Sequence, residues 1–320
     1  MKQTHSLPLP IGRGVITLLL CFSMGVTISS PPYKEGQGEG LFGPYHFPKQ
    51  IPAGNYSGIC ALGDGLFAVV DDKNTEDGFY VFHFNIDMQN NRITKAENMG
   101  YRSCGLANRD MEGICYRPSS RTLFISGEAD NEVLEYDLEG KRTGRKLNMP
   151  ACFKQAGSNQ GIEALTYDTL SHQFFLTTER PLPGDSLLRI QAFNDNLQPT
   201  HQYLYEPDHG LSPKHTHGVS SLCAMGDGRL LVLERQVRVP RMRLDATTVI
   251  SIYEVRPAQN EKMLTKKLIN RFHTRLSVLN RKFANYEGMC ALSPNCLLLV
   301  ADSQNQYKGV LRDWFLLLNL

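Results

Sequence analysis

The sequence lacks most of the short motifs that identify an enzyme class. It has no Gly-x-Ser-x-Gly elbow, which argues against an α/β-hydrolase. It also has no H-E-x-x-H zinc motif, no Walker loop and no dinucleotide-binding glycine motif. No local motif therefore dictates a nucleophile, and the function has to be read from the organisation of the whole chain.

The sequence also has almost no excess of positive or negative charge. The 320 residues carry 34 Lys and Arg against 32 Asp and Glu, a formal net charge of +2. So small an excess gives no reason to expect nucleic acid or an anionic membrane as a partner. There is no C-x-x-C pair and no Cys/His spacing typical of a zinc site. The composition is otherwise that of an ordinary globular protein.

Only one long apolar run is present, at residues 15–26. Two basic residues precede it, and small residues follow it up to Ser29 and Ser30. This order predicts a signal peptide over residues 1–30, with cleavage near Ser29 or Ser30 and a secreted or periplasmic protein. An uncleaved anchor is the alternative, but the run is short for a membrane span. The mature chain is then expected to contain no membrane span.

Internal repeats are the strongest signal in the chain. Five segments share a pattern of small, acidic and hydrophobic residues: 55–62, 110–116, 161–167, 215–222 and 285–292. Each is followed by a hydrophobic run that ends in an acid and then by a third β-like run. This spacing predicts one four-stranded blade per repeat, and therefore an all-β β-propeller of five blades over residues 45–320, after a lead-in at residues 31–44. A sixth, degenerate blade within the longest gap is the alternative.

The last repeat ends after its third strand, at Leu320. Its fourth strand must come from elsewhere in the chain. Residues 45–51 precede the first repeat and are predicted to supply it, because such a closure removes two exposed sheet edges.

Seven cysteines remain once residues 1–30 are removed. Three occupy the same position in their repeats: Cys60, Cys115 and Cys290. Thr166 and Ser220 are assigned that position in the other two repeats, so packing as small hydrophobic residues is the simplest interpretation. Cys104 and Cys152 precede adjacent repeats and form the one pair for which a disulfide is considered.

Acidic residues recur at two positions per repeat. Residues i and i+2 share a face of a strand, and the first strand of each blade lines the central channel of a propeller. Glu112, Glu163 and Glu287 are therefore expected at the channel mouth, with Ser57 and His217 in the equivalent places. A second set ends the second strands: Asp72 or its neighbour Asp71, Glu128, Glu179, Glu234 and Asp302. Converging carboxylates call for a cation, and Ca²⁺ suits oxygen ligands; blade-holding pairs with arginine are the alternative.

Basic residues gather near the fourth repeat. They are Arg180, His215, His217, Arg235, Arg238, Arg241 and Arg243. Arginine is well shaped to recognise phosphate or carboxylate, which makes this group a candidate anion site. A solvated loop is the alternative. Residues 266–275 are also basic and amphipathic, and are interpreted as a short helix with a solvated face.

At this point the sequence resembles a known family. The ordered pieces that carry the resemblance are residues 110–116, 138–141, 147–150, 159–165, 178–182, 227–235, 285–289 and 298–303. Together they resemble the phytase-like β-propellers, named for the "esterase-like activity of phytase", over about residues 45–320. The resemblance implies an exported propeller that hydrolyses phosphate or carboxylic esters. The chain departs from a fully acidic metal ring at Ser57 and His217.

Two classes of function follow from these expectations. In the leading hypothesis, a hydrolase uses Glu112, Glu163, Glu287 and Glu234 to hold Ca²⁺ or activate water. Its other assignments are Arg235, Arg180, His215 and His217 for the substrate, and Asp72, Glu128, Glu179 and Asp302 for the metal. The alternative is a non-catalytic propeller that binds a ligand or a protein at the mouth, and a lactone- or sugar-processing propeller is third. The expected partner is a small anionic or ester substrate, the expected cofactor is Ca²⁺, and a monomer is expected.

Overall fold

The structure is a computed structural model of the chain. It describes residues 40–157, 160–240, 245–277, 282–306 and 309–320. The predicted signal peptide, Arg241 and Arg243 lie outside the described residues. Within them, no helix is long and apolar enough to cross a membrane.

The described residues form five antiparallel sheets of four strands each, so the prediction of a five-bladed β-propeller is confirmed. Blade 1 contains β2 (Tyr56–Gly63), β3 (Leu66–Asp71), β4 (Glu76–Asp87) and β5 (Arg92–Ala107). Blade 2 contains β6 (Met111–Arg117), β7 (Thr122–Gly127), β8 (Glu132–Tyr136) and β9 (Arg142–Lys146). Blade 3 contains β10 (Ile162–Asp168), β11 (Gln173–Thr178), β12 (Leu188–Asn194) and β13 (Pro199–Tyr205). Blade 4 contains β14 (Thr216–Ala224), β15 (Leu230–Arg238), β16 (Thr247–Val255) and β17 (Lys267–Arg275). Blade 5 contains β18 (Asn285–Ser293), β19 (Cys296–Asp302), β20 (Phe315–Asn319) and β1 (Leu41–Tyr45).

The ring is closed by β1, which pairs with β20 in the register Leu41↔Leu318 and Tyr45↔Phe315. Closure by an N-terminal strand is thus confirmed, but the predicted segment 45–51 is wrong. Pro48 lacks the N–H that a ladder needs, and residues 47–51 form a turn in which Ile51 donates to the Phe47 carbonyl. The strand lies earlier because its side chains pack against the apolar core around blade 5.

Residues 266–275 do not form the predicted helix. Lys267–Arg275 is β17, the outermost strand of blade 4, paired along its length with β16. An outer strand has one neighbour and one face in water, so basic side chains are tolerated there while Phe272 stays buried. The amphipathic pattern therefore has the period of a strand.

A β-bulge interrupts the pairing of the first two strands at the same place in every blade. The register shifts on either side of Ser57, Glu112, Glu163, Ser220 and Glu287. The sequence-based alignment of the fourth repeat is therefore wrong by three residues, because the bulge falls at Ser220 and not at His217. A bulge aims the side chain of the extra residue differently from its neighbours, and bulges are common beside functional sites.

The corrected register also changes which cysteines occupy equivalent positions in the blades. The residue three positions after the bulge is Cys60, Cys115, Thr166, Cys223 or Cys290, so four blades share a buried cysteine there. All seven described cysteines are free. The considered pair is not joined: the Cys104 thiol lies 3.6 Å from an Asp77 oxygen, and the Cys152 sulfur lies 3.9 Å from the Gln202 amide.

The channel is closed below the bulges by a layer of apolar side chains. Residues two positions further along the inner strands are Ile59, Ile114, Leu165, Leu222 and Met289, each at most 4% exposed. The cavity between them leaves about 10 Å³ for the centre of a water molecule, which is room for about one. The mouth of the channel is therefore a blind pocket.

Candidate functional site

The five blades place ten side chains at the mouth in two tiers. The inner tier is formed by the bulge residues Ser57, Glu112, Glu163, Ser220 and Glu287. The outer tier is formed by the residue that follows, in each blade, the second-strand partner of the residue before the bulge: Asp72, Glu128, Glu179, Arg235 and Asp302. Seven of these side chains are carboxylates and one is a guanidinium. The expected convergence of acids is thus present, with Arg235 in the place of a fifth outer acid.

Arg235 neutralises one side of the mouth. Its guanidinium forms a hydrogen-bonded ion pair with Glu287 and lies 3.2 Å from a Glu163 oxygen and 3.4 Å from a Glu179 oxygen. The arginine side chain is 14% exposed. Arg235 was expected to bind substrate, but the structure places its guanidinium among protein carboxylates.

Electrostatics at this ion cluster follow from burial and charge. Burial alone would lower the pKa of Arg235, but Glu287, Glu163 and Glu179 raise it, so the arginine stays charged. Burial raises the pKa of Glu163 to about 8, although Arg235 opposes the shift. Burial likewise raises the pKa of Glu287 well above its ordinary value and that of Asp302 to about 6. Several of these carboxylates therefore retain protons near neutral pH when no other cation is present.

Glu112 has the same position in its blade as Glu163 and Glu287 but no arginine. It is 8% exposed, and among the described residues none donates a hydrogen bond to its carboxylate. Its pKa is raised well above the ordinary value, first by burial and then by the negative charges of Glu163, Glu287 and Asp72. A buried carboxylate without a partner is costly, so this position calls for a proton or a cation.

Asp72, Asp110 and Glu112 each offer an oxygen, and these oxygens lie within 4.8 Å of one another. Asp110 begins the inner strand of blade 2 with a φ of 58°, a left-handed conformation that aspartate tolerates. The Oδ1 atom of Asp72 is buried and has no hydrogen-bond partner. The donor set contains only oxygens, which suits a hard divalent cation such as Ca²⁺.

A lysine lies against this carboxylate set. The Lys73 ammonium is 2.9 Å from Asp72 and 2.5 Å from Asp110, and its side chain is 60% exposed. Burial alone would lower the pKa of Lys73, but its hydrogen bonds to Asp110 and Asp72 raise it. An exposed lysine is free to move to solvent, so its charge is replaceable in a way that the buried Arg235 charge is not.

Glu234 does not belong to either tier. Adjacent residues of a strand point to opposite faces, so Glu234 points away from the mouth when Arg235 points into it. The Glu234 carboxylate accepts hydrogen bonds from the Tyr205 hydroxyl at 2.5 Å and from the Lys266 ammonium at 2.8 Å. The backbone N–H of Asp208 donates to it as well, at 2.7 Å. The structure therefore brings together Glu112, Glu163 and Glu287 but separates Glu234 from them.

Further basic residues lie near the tiers on blades 3 and 4, but His217 and Arg238 share the strand face of Glu234, which points away from the mouth. Arg180 is 3.5 Å from Glu179 with 40% of its side chain exposed. The His215 ring is 2.8 Å from the Ser212 hydroxyl, and its pKa is lowered by burial and by the charge of Arg238. His217 pairs with Gln236 one strand away, on the part of β14 that extends beyond the bulge. We call Arg180, His215, His217 and Arg238 the basic rim.

The ring order fixes how these groups face each other. Inner strands contact in the order of blades 1, 2, 3, 4, 5 and back to 1. In a ring of five, blade 4 faces the junction between blades 1 and 2. The Asp72, Asp110 and Glu112 carboxylates lie at that junction, so Arg235 lies across the pocket from them.

Sequence reasoning did not select Asp110 or Lys73 as site residues. The signal for Asp110 is its position two residues before Glu112, which strand alternation puts on the same face. The signal for Lys73 is its position directly after Asp72 in an outer-tier loop.

Three solved structures show a distant similarity to the chain. A streptogramin B lyase is 10% identical, with a TM-score of 0.42 over 88% of this chain and 98% of the other. A luciferin-regenerating enzyme is 10% identical, with a TM-score of 0.45 over 87% and 96%. A Trichoderma reesei carbohydrate-active enzyme of family AA12 is 11% identical, with a TM-score of 0.45 over 87% and 98%. Similarity this low says nothing about activity.

No curated protein matches the sequence. The family model described as "Phytase-like: Esterase-like activity of phytase" matches residues 51–304, which include both tiers of the mouth and all five inner strands. The resemblance seen in the sequence is thereby confirmed, and the chain belongs to this phytase-like β-propeller family.

Proposed function

We propose that the protein is an exported hydrolase of phosphate or carboxylic esters and that the reaction takes place in the blind pocket at the channel mouth. The observation that carries the proposal is the asymmetry of charge in this pocket. Among the described residues no donor reaches the Glu112 carboxylate beside Asp72 and Asp110, while Arg235 contacts the other inner glutamates. An oxygen-rich set of this kind, opposite Arg235, is suited to binding a cation and an ester beside it.

A divalent cation, with Ca²⁺ as the expected ion, would be held by Asp72, Asp110 and Glu112. When bound, such an ion stabilises the negative charge that develops on the ester oxygens. The buried, unpartnered Asp72 oxygen and the unpaired Glu112 carboxylate fit this role. We do not extend the metal site to Glu128, Glu179 and Asp302, because Glu128 already accepts a hydrogen bond from the Gly161 N–H and Glu179 lies beside Arg235.

Glu163 is the proposed proton donor. Its pKa of about 8 keeps its carboxyl protonated at neutral pH in the metal-free pocket. Water attacks the phosphorus or the acyl carbon, the bond to the leaving oxygen breaks, and that oxygen takes the proton from Glu163; the proton that the attacking water loses then returns to the Glu163 carboxylate. Arg235 holds the Glu163 side chain in place through the 3.2 Å contact.

The basic rim is proposed to bind the anionic part of the substrate. Arg180 and Arg238 provide donors suited to phosphate or carboxylate, and His215 is kept neutral by its lowered pKa, so it can also accept a hydrogen bond. Secretion after cleavage near Ser29 or Ser30 and a monomeric state complete the proposal.

The test is an assay of the purified mature chain with an aryl phosphate, an aryl acetate and an inositol phosphate, in calcium and in chelator. We expect metal-dependent turnover that falls at least 100-fold in Glu112→Gln, on the scale of losing one electrostatic contribution to catalysis. Glu97→Gln, an exposed substitution on an outer strand, is the matched control. Unchanged rates in a folded Glu112→Gln protein would contradict the assignment.

A non-catalytic binding propeller is the second candidate. The observation that favours it is the engagement of Glu163, Glu179 and Glu287 by one arginine, an arrangement that also holds three blades in register. Under this function, no ester is turned over, but a phosphorylated or carboxylated ligand raises the melting temperature. Loss of that shift in Arg238→Gln, with no turnover in the parent protein, would favour binding over catalysis.

A further inference from the structure

We infer that Arg235 is a built-in substitute for a second cation, so that the mouth binds one exchangeable divalent ion and carries its second positive charge permanently. This inference rests on the cation site of the proposed function and concerns the number and place of the ions. In this inference Arg235 neutralises carboxylates of the protein, whereas it was expected from the sequence to bind the substrate.

The first step is positional. Val219 pairs with Glu234 just before the bulge of blade 4, as Ile162 pairs with Thr178 in blade 3. The next residue of each second strand is therefore Arg235 in one blade and Glu179 in the other. The other three blades have Asp72, Glu128 and Asp302 at this position. Blade 4 thus carries a cation at the one position where every other blade carries a ligand-type carboxylate.

The second step is the surroundings of the guanidinium. It contacts one outer-tier acid, Glu179, and two inner-tier acids, Glu163 and Glu287. The opposite cluster has an outer-tier acid, Asp72, and an inner-tier acid, Glu112, with Asp110 as the third. Both clusters therefore bring together three carboxylates, and the difference between them is the identity of the cation.

The third step is how firmly each cluster holds its protein cation. Lys73 is 60% exposed and Arg235 is 14% exposed, so withdrawal to water is open to the lysine and closed to the arginine. A divalent ion can take the place of Lys73 without leaving a buried charge unpaired. It cannot enter the Arg235 cluster while the guanidinium is there, since two cations would share the same carboxylates.

The consequence is a second site that is latent in the wild-type chain. Removing the guanidinium leaves three carboxylates and the amide of Asn285, which donates to Glu287 at 2.7 Å and has a buried, unpartnered Oδ1 atom. That set contains four oxygen-bearing side chains, and Ca²⁺ accepts such ligands with flexible geometry. Arg235→Gln should therefore add a cation site to the protein.

The experiment measures bound calcium in the full mature chain by equilibrium dialysis, with melting curves as a second readout. We expect one ion per chain in the wild type, none in Asp72→Asn, and two in Arg235→Gln. Arg180→Gln, a nearby exposed arginine, is the control and should bind one ion. Calcium should also raise the melting temperature of Arg235→Gln more than that of the wild type, because two sites contribute to the linkage.

Several outcomes would overturn the inference. Two ions in the wild type would do so, as would one ion remaining in Asp72→Asn or only one ion in a folded Arg235→Gln protein. The first two results need no arginine variant, so the inference stays testable if Arg235→Gln does not fold. Turnover is not measured here: an inactive protein that binds one ion contradicts only the proposed hydrolase, and an active protein that binds two contradicts only this inference.

Discussion

The two sides of the channel mouth each gather three carboxylates but neutralise them with different cations. At the junction of blades 1 and 2, Lys73 is the only cation among the described residues that pairs with Asp72, Asp110 or Glu112. Across the pocket, three glutamates share the buried Arg235. On the arginine side every glutamate contacts the guanidinium, whereas the lysine side leaves Glu112 without a hydrogen-bond donor among the described residues. A repeated scaffold can therefore keep one copy of a charged motif structural and leave another copy open for a ligand.

The largest expected effect comes from removing the fixed cation. Arg235→Gln leaves three buried or half-buried carboxylates without their partner, and breaking a buried pair from one side costs about 3–5 kcal/mol. Lys73→Gln should cost less than about 1 kcal/mol, because its side chain is exposed. Urea unfolding in chelator at pH 7.5 measures both. Equal losses of stability in Arg235→Gln and Lys73→Gln would contradict the claim that one cation is held firmly and the other is replaceable.

A matched pair of glutamates should respond with opposite signs. Glu112→Gln removes a carboxyl whose raised pKa works against folding at pH 8, because the unfolded chain ionises it freely, and should stabilise the metal-free protein by about 1 kcal/mol or more. Glu287→Gln weakens the bonds from Arg235 and Asn285 and should destabilise it by about 1–3 kcal/mol. Both substitutions are isosteric and lie at the same blade position. Urea midpoints that move in the same direction would contradict the comparison.

A smaller effect is expected from pH. In the folded protein, burial raises the pKa of Glu163 to about 8 and that of Asp302 to about 6, above the ordinary carboxylate range. The folded state therefore binds more protons than the unfolded state over this window, and the metal-free protein should lose stability as pH rises from 5 to 8. Carboxylates with a lowered pKa, such as Asp208, act only at lower pH. Unfolding curves at pH 5, 6.5 and 8 measure the slope.

The control for this pH dependence is Glu163→Gln, which has no carboxyl to titrate and should show a flatter slope. Stability that stays constant or rises between pH 5 and 8 in the parent protein would show that these carboxylates are not desolvated as the structure has them.

The blade architecture was predictable because every repeat uses the same alternation of apolar and polar residues. Five copies of one pattern specify inner strands even where a single copy is ambiguous. The position of the closing strand was harder, because residues 41–45 and residues 45–51 both contain aromatic residues that fit a blade. The choice depends on Pro48 and on packing against β20, which a local pattern does not contain.

The glutamates of the site were predictable from the sequence, but the alignment of blade 4 and the partner of each side chain were not. Glu112, Glu163 and Glu287 were found because each follows a recognisable repeat position. The fourth repeat was misaligned by three residues because His217 and Gly218 imitate the polar and glycine positions of the other blades, while the bulge lies at Ser220. Glu234 was placed at the mouth because it ends the hydrophobic run of the second strand, one residue before the outer-tier position of Arg235. The ion pairs of the site form between side chains of different blades. No single segment of the sequence therefore shows that Arg235 contacts three glutamates.

The closing strand has a consequence for how the molecule is made. Leu41 pairs with Leu318, so the first described strand is completed only by a strand that is synthesised more than 270 residues later. Until β20 has been synthesised, β1 and the first blade have an unfilled neighbour, and the ring of carboxylates has no fixed diameter. The pocket is therefore formed in a single late event that joins β1 to β20, and a protein that lacks β20 should lack a binding pocket altogether.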